Sequence, residues 1–397
     1  MKLLYITKIS FAWRNAETTQ VVETLENLSR LGVNTLVLAP SLGRYWRQTS
    51  FKILYLPTIY WNKLLENITF QLSLIVIMPF LITFRRPDII QCRLDPFSFV
   101  APVIAQVFGK KYVVEQHGFF REDLKLFQRA NAAVMFISGL IEKLNYTLAG
   151  KVMVVTPELK SLLSSAFHIP GSKIFINPNG ANTELFRPMD KTSARQSLGL
   201  NKSTRYALFV GNFAPWQGID FLVNAVLEVR KSVNNFVLLL VGGGREEKRV
   251  RRLVEELKIE SQVIFAGNVD NDKIPLYINA ADVCVAPFIS LSRRKNPGSP
   301  LKVYEYLACG KPVVASSVGS VGALIRNGKI GILVEPENPS ALAQGIVDCL
   351  LYVRDEDGYR EARRDVIMKQ YNWKQTAKNL ASEMREMLVR KRYGGEL

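Results

Sequence analysis

Two doubly wound, Rossmann-like α/β domains facing a central cleft are what this sequence predicts, on three observations. Short apolar runs alternate with longer helical patterns along the chain. The alternation restarts at Tyr206, after a turn-rich stretch, INPNGANTELFRP, from Ile176 to Pro188. At 397 residues the chain is long enough for two domains with a real core in each. Strands joined by helices build parallel sheets covered on both faces, and their ligands gather at the C-terminal strand edges.

Each element follows in turn. Leu3 to Ile6 is an apolar strand run, and Thr18 to Leu31 is a helix whose Val21, Val22, Leu25 and Leu28 share one face before Gly32. Thr35 to Ala39, Ile89-Ile90 and Tyr112 to Val114 continue the first series of strands. Tyr206 to Val210, Phe236 to Val241, Val263 to Ala266, Val283 to Ala286 and Val313 to Ala315 form the second. The expected division is a first domain over 1–182 and a second over 183–370. A C-terminal helix over 371–397 is expected to pack back on the first domain.

Composition excludes several classes. The chain is 48% hydrophobic, as a folded protein is. Cys92, Cys284, Cys309 and Cys349 show no CxxC spacing, which fits reduced, buried thiols and no metal site. His117 and His168 are the only histidines, which disfavours zinc chemistry. The net charge of +17 calls for an anionic partner. No nucleic-acid-binding signature is present, so no nucleic-acid partner is expected. An anionic membrane surface is expected instead, drawn by Arg85-Arg86 and the tail VRKRYGGEL. MKLLYITKI reads as a buried strand rather than a signal peptide. The apolar run from Phe70 to Phe84 is shorter than the roughly 20 residues of a spanning helix and contains Pro79. A buried or interfacial helix is expected there, with no transmembrane span.

Ser299 to Ser316, SPLKVYEYLACGKPVVAS, is the most informative stretch. Ser299 suits a helix cap and Pro300 the first helical position, so free N–H groups there favour a phosphate. Lys302 adds a cation in the first turn, and Glu305 lies about one turn on, within reach of a ribose diol. Gly310 stops the helix before the strand run Val313 to Ala315. The same residues also suit an ordinary capped helix packed on a sheet.

The order INPNGANTELFRP, FVGNFAPWQGID, LLLVGGG, FAGNVDNDKIPLYINAADVCVAPF and SPLKVYEYLACGKPVVAS resembles the C-terminal half of a retaining nucleotide-sugar glycosyltransferase. The resemblance is to the group 1, glycogen-synthase-like family with the GT-B fold, with weaker similarity in RPDIIQCR and YVVEQHG. It implies a ribose-binding role for Glu305 and a place near the donor diphosphate for Ser299, Pro300, Leu301 and Lys302. It also implies close passage of the nucleotide at Gly211, a tight turn at Gly242 and Gly243, and a base contact at Val269. His117 resembles the family's active-site histidine near the transferred sugar.

Departures accompany the match. The family's Arg and Lys pair falls at the neutral Asn212 and Gln217, its first glutamate falls at Pro297, and the loop SFAWRN has no glycine. Lys302 and the basic loop Arg293, Arg294 and Lys295 are the candidates to compensate; a solvated loop is the other reading of those three residues. Asp270-Asn271-Asp272 imitates a metal-binding DxD, yet Asp272 suits a cap for the following helix, so no essential metal and no cofactor beyond the nucleotide-sugar are expected.

The implied activity is transfer of a sugar from a nucleotide-sugar donor to a lipid-linked or cell-surface glycan acceptor. Retention of configuration is expected, in the cytoplasm at the inner face of the membrane. The alternative is a non-catalytic GT-B protein that binds a nucleotide-sugar or glycan.

Overall fold

The apolar runs become strands, and every strand pair is parallel. The computed structural model describes residues 1–12, 15–41, 48–119, 131–290, 298–299, 301–328, 330–352 and 357–393. In the first sheet the strands are β1 (Lys2–Ile6), β2 (Asn34–Pro40), β3 (Lys52–Leu56), β4 (Ile89–Arg93), β5 (Lys111–Gln116), β6 (Lys151–Val154) and β7 (Ile174–Ile176). Their order is β3-β2-β1-β4-β5-β6-β7. The second sheet holds β8 (Arg205–Val210), β9 (Phe236–Val241), β10 (Val263–Gly267), β11 (Val283–Ala286), β12 (Val313–Ser316) and β13 (Gly331–Val334), ordered β10-β9-β8-β11-β12-β13. Strand order reverses beside β1 in one sheet and beside β8 in the other, and crevices open at such switch points.

The chain divides into two units, Met1–Asn179 with Trp373–Leu397, and Gly180–Asn372. The sequence reading set these borders at 182/183 and 370/371. One face of the first sheet is covered by the helix Lys63–Arg85, whose Phe70, Leu74, Met78, Leu81 and Ile82 join the core. The other face is covered by the helices Ala16–Arg30 and Trp373–Tyr393, through Leu25, Leu28, Ala377, Leu380 and Met384. Nearly continuous apolar strands such as FVLLLV, at Phe236–Val241, match a parallel sheet buried on both faces. None of the four cysteines forms a disulfide, and all four are buried.

Two sequence expectations are corrected. The helix around Phe70 is 23 residues long, because Asn62 caps it (Leu65 N–H to Asn62 Oδ1, 2.9 Å) and it runs through Pro79. Length and composition would let it cross a membrane, but 39% of its most apolar window is buried in the fold. The helix Ile274–Ala280 takes Lys273, not Asp272, as its cap residue, with no side-chain cap bond; Pro275 supplies the helical φ at its start.

Candidate functional site

Backbone makes most of the strand edge in the C-terminal unit. Gly211 (φ 143°) follows β8, and its N–H donates to Val241 O at 2.9 Å. Gly242 (φ 121°) follows β9, and its N–H donates to Gly267 O at 2.8 Å. A Cβ on Gly242 would lie 2.1 Å from Gly211 O, and one on Gly244 would lie 2.1 Å from Asn212 Oδ1. Only glycine combines that closeness with a φ in the left-handed half of the map. Gly243 is bordered by Glu247 and Asn268, and Val269 follows, half-buried against the core.

A cation from a distant helix reaches this edge. Lys302, on the helix Leu301–Ala308, is buried, and its Nζ donates to Gln217 Oε1 at 2.7 Å. The same Nζ lies 3.8 Å from the Phe209 ring centroid, and a Cβ on Gly211 would approach it to 2.8 Å. Aromatic faces attract a desolvated ammonium. Tyr306 Oη accepts the Val210 N–H at 2.8 Å and so ties this helix to the end of β8. Gly211, Gln217 and Lys302 are therefore brought together at the switch point between β8 and β11. Glu305 sits half-buried one turn beyond Lys302. The Ser299 hydroxyl lies 3.0 Å from Tyr304 Oη. Arg293, Pro300 and the rest of the basic loop lie outside the described residues.

Side chains make the matching edge of the N-terminal unit. Glu115, on β5, is buried and gathers four groups from other positions. Its Oε2 accepts from Tyr5 Oη at 3.0 Å and Gln91 Nε2 at 2.5 Å. Its Oε1 lies 2.5 Å from His117 Nε2 and 3.4 Å from Arg93 Nη1. Arg93 Nη2 also donates to Gln20 Oε1 at 2.9 Å. Burial would raise the Glu115 carboxyl, but the bond from His117, its charge, that of Arg93 and the Tyr5 bond bring it down to about 2. Burial pushes the His117 imidazole below its usual value, as does Arg93, against the pull of Glu115. The ring is then neutral near pH 7 and donates from Nε2 to an ionised carboxylate. Nδ1 is left as an acceptor, with no partner among the described residues.

The sequence reading missed the network around Glu115. One signal was available: Glu115 and His117 are two apart at the end of a strand, the spacing that puts side chains on one face. Tyr5 is 110 positions from Glu115 and carried no local signal.

Two doubly wound parallel sheets, each with its polar groups at a C-terminal strand edge, define a two-domain Rossmann-like α/β protein. The group 1 glycosyl transferase model matches residues 190–381, and the glycosyltransferase family 4 model matches residues 18–185. Between them they take in nearly the whole chain, which belongs to the group 1 glycosyltransferases and is a glycosyltransferase. It is 28% identical over 310 residues to an uncharacterized glycosyltransferase of Methanocaldococcus jannaschii, covering 73% of each chain. It is 32% identical over 232 residues to a D-inositol 3-phosphate glycosyltransferase of Acidothermus cellulolyticus, covering 55% of this chain and 49%, about half, of that relative. A third relative, 27% identical over 292 residues, is a GDP-mannose-dependent alpha-(1-6)-phosphatidylinositol monomannoside mannosyltransferase of Mycolicibacterium smegmatis, with 72% of this chain and 73% of that one covered. Among solved structures, sucrose-phosphate synthase from Thermosynechococcus elongatus superposes with a TM-score of 0.81 at 20% identity, over 98% of this chain and 100% of that one. A glycosyltransferase from Rickettsia africae gives 0.72 at 19% identity, over 98% of each.

Proposed function

We propose that this glycosyltransferase moves a sugar from a nucleotide-sugar donor to a lipid-linked or cell-surface glycan acceptor, with retention and without a metal. The observation that carries the reading is the meeting of Lys302, Gln217 and Gly211 at the β8 edge. A desolvated cation beside closely approached backbone suits a diphosphate, and a positioned cation lowers the barrier as charge builds on a leaving group. Lys302 takes that part in place of the cations absent at Asn212 and Gln217, together with Ser299 and Leu301. Glu305 holds the ribose, and Val269 lies by the base. In the transfer the acceptor oxygen bonds to the anomeric carbon while the bond to the diphosphate breaks. The acceptor proton passes to the departing phosphate oxygen. His117, neutral and fixed by Glu115, accepts a hydroxyl hydrogen of the sugar or acceptor at Nδ1. The lipid-linked acceptor and a cytoplasmic, membrane-associated location draw support from the phosphatidylinositol-mannoside relative and from the charge of +17.

The test is thermal stabilisation by a panel of nucleoside diphosphates, with Glu305→Ala in parallel, since a ligand of the native state raises stability with the logarithm of saturation. We expect one diphosphate to shift the wild type and not the variant, and sugar transfer with retained configuration to survive EDTA. Normal turnover by Glu305→Ala would sink the donor assignment. No shift with any diphosphate and no donor turnover would favour the non-catalytic GT-B binding protein instead.

A further inference from the structure

One face of the N-terminal unit is apolar and open to solvent. Opposite its buried side, the helix Lys63–Arg85 leaves Leu64, Leu72, Val76, Phe80 and Phe84 between 55% and 71% exposed. No residue from Asn67 to Phe84 carries a charge. The neighbouring helices Val100–Val107 and Ala132–Leu148 extend the face through Val107, Phe136 and Leu140, all more than half exposed. The C-terminal unit shows nothing comparable among its described residues: its exposed large apolar side chains are Ile264, Leu351, Tyr352, Tyr359 and Met368, on several separate elements. Contiguous exposed apolar area of this kind marks an interaction surface.

The rim of the face is basic. Lys63, Arg85, Arg86 and Lys143 are exposed, and Lys110 is half-exposed. Two acidic neighbours are already engaged: Asp88 accepts the Lys2 N–H at 2.7 Å, and Glu66 pairs with Lys8 at 3.4 Å. At the Arg85 end a cavity of about 270 Å³, lined by Leu81, Phe84, Arg85 and Lys2, opens beside the apolar stripe. Trp61, 87% exposed, stands just before the other end of the helix.

We propose that this face seats on an anionic lipid bilayer, with the helix Lys63–Arg85 lying in the membrane plane rather than across it. A spanning helix would carry the open first sheet into the lipid with it, since 39% of its most apolar window is buried on that sheet's core, and open sheet edges are not tolerated in hydrocarbon. An apolar stripe with a cationic rim and aromatic residues near both ends suits the headgroup boundary. A second copy of the chain is the poorer occupant, because it would bring the same cations and another +17 against this rim.

The position of the face deepens the reading given above for the acceptor and rests on it. The helix starts beside Lys8, which follows β1 and bonds Asn67, so its first turn lies at the C-terminal strand edge. That is the edge that carries His117. Its last turn reaches Lys2 at the opposite edge, where Lys2 Nζ donates to Arg85 O at 3.3 Å. A lipid-linked acceptor can therefore meet the His117 edge while its tail stays in the membrane.

The experiment is flotation of the full chain with vesicles of phosphatidylcholine, alone or mixed with phosphatidylglycerol. We expect binding to the mixed vesicles. The exposed-face variant Leu72→Gln with Val76→Gln and Phe80→Gln should lose it on the order of tenfold or more. The rim variant Lys63→Gln with Arg85→Gln and Arg86→Gln should weaken it roughly fivefold per cation, with less salt dependence. Neutralising Arg390, Lys391 and Arg392 should matter less than either. An unchanged thermal melt of each variant keeps folding out of the comparison. Wild-type affinity in the Leu72/Val76/Phe80 variant overturns the proposal. So does a wild type that ignores vesicles but elutes as a dimer, with that variant monomeric. Flotation needs no donor, so failure of the nucleotide panel leaves this result standing.

Discussion

The two strand edges are made of opposite materials. In the C-terminal sheet, Gly211, Gly242 and Gly244 let loops approach to distances no side chain would allow, and Lys302 is the charged group brought in among them. In the N-terminal sheet, Tyr5, Gln91, Arg93 and His117 converge on one buried carboxylate, Glu115. The first edge is defined by space and the second by charge. They should therefore fail in different ways: one by crowding, the other by loss of a counter-charge.

The largest effect is expected at the charged edge. Glu115→Ala leaves the partly buried Arg93 beside His117 without its carboxylate, and breaking such a pair costs up to about 3–5 kcal/mol. Denaturant unfolding should show that loss in the N-terminal unit, read as a separate transition if the units unfold independently. A loss under about 1 kcal/mol would mean that the network is dispensable for folding. Next comes the crowded edge. Gly242→Ala places a Cβ 2.1 Å from Gly211 O at a φ of 121°, and strain of that kind costs about 1–3 kcal/mol before any clash is counted. Nucleoside-diphosphate stabilisation should fall with it. Gly267→Ala is the matched control, because Gly267 also has a positive φ, 69°, but nothing lies within 4 Å of the added atom. If the two variants bind nucleotide equally, the close approach has no part in the site.

This contrast also explains what the sequence could tell. Parallel strands such as β8 and β9 were legible because a strand buried on both faces is a continuous apolar run. β3 was not, since KILYL at Lys52–Leu56 alternates in burial at the sheet edge and carries a charge. The helix Lys63–Arg85 was cut short because its first turns, KLLEN, are polar on one side, whereas the Asn62 cap and not the apolar run sets its start. Glycine positions in the C-terminal unit were legible as motifs, for a glycine requirement is written at the residue itself. Gln217 looked like a lost cation until the fold brought Lys302 to it from 85 positions away. Charge networks assembled across strands leave little mark in one segment: around Glu115 the sequence shows His117 two positions on, while Tyr5, Gln91 and Arg93 come from other strands.

The smallest effect expected is on pH dependence, and it separates the two edges without removing a buried charge. His117 has a folded pKa below its usual 6.5, so the unfolded chain takes up a proton first as pH falls. Glu115, held at about 2 against 4.5, works in the same direction lower down. Both groups therefore stabilise fully above about pH 6.5, and their contributions are lost as pH falls, His117 first and Glu115 below about 4.5. The groups facing the ring are Arg93 from β4, Glu115 from β5 and Glu17 from the helix Ala16–Arg30, so the slope belongs to the N-terminal unit. His117→Gln should flatten the fall in melting temperature between about pH 7 and pH 5 while leaving Glu115 bonded. Gly267→Ala, in the other unit, should leave that slope as it is. Equal slopes in wild type and His117→Gln would mean that the imidazole titrates in the folded chain as it does in the unfolded one. The neutral acceptor Nδ1 would then no longer describe the ring at the pH where the enzyme works.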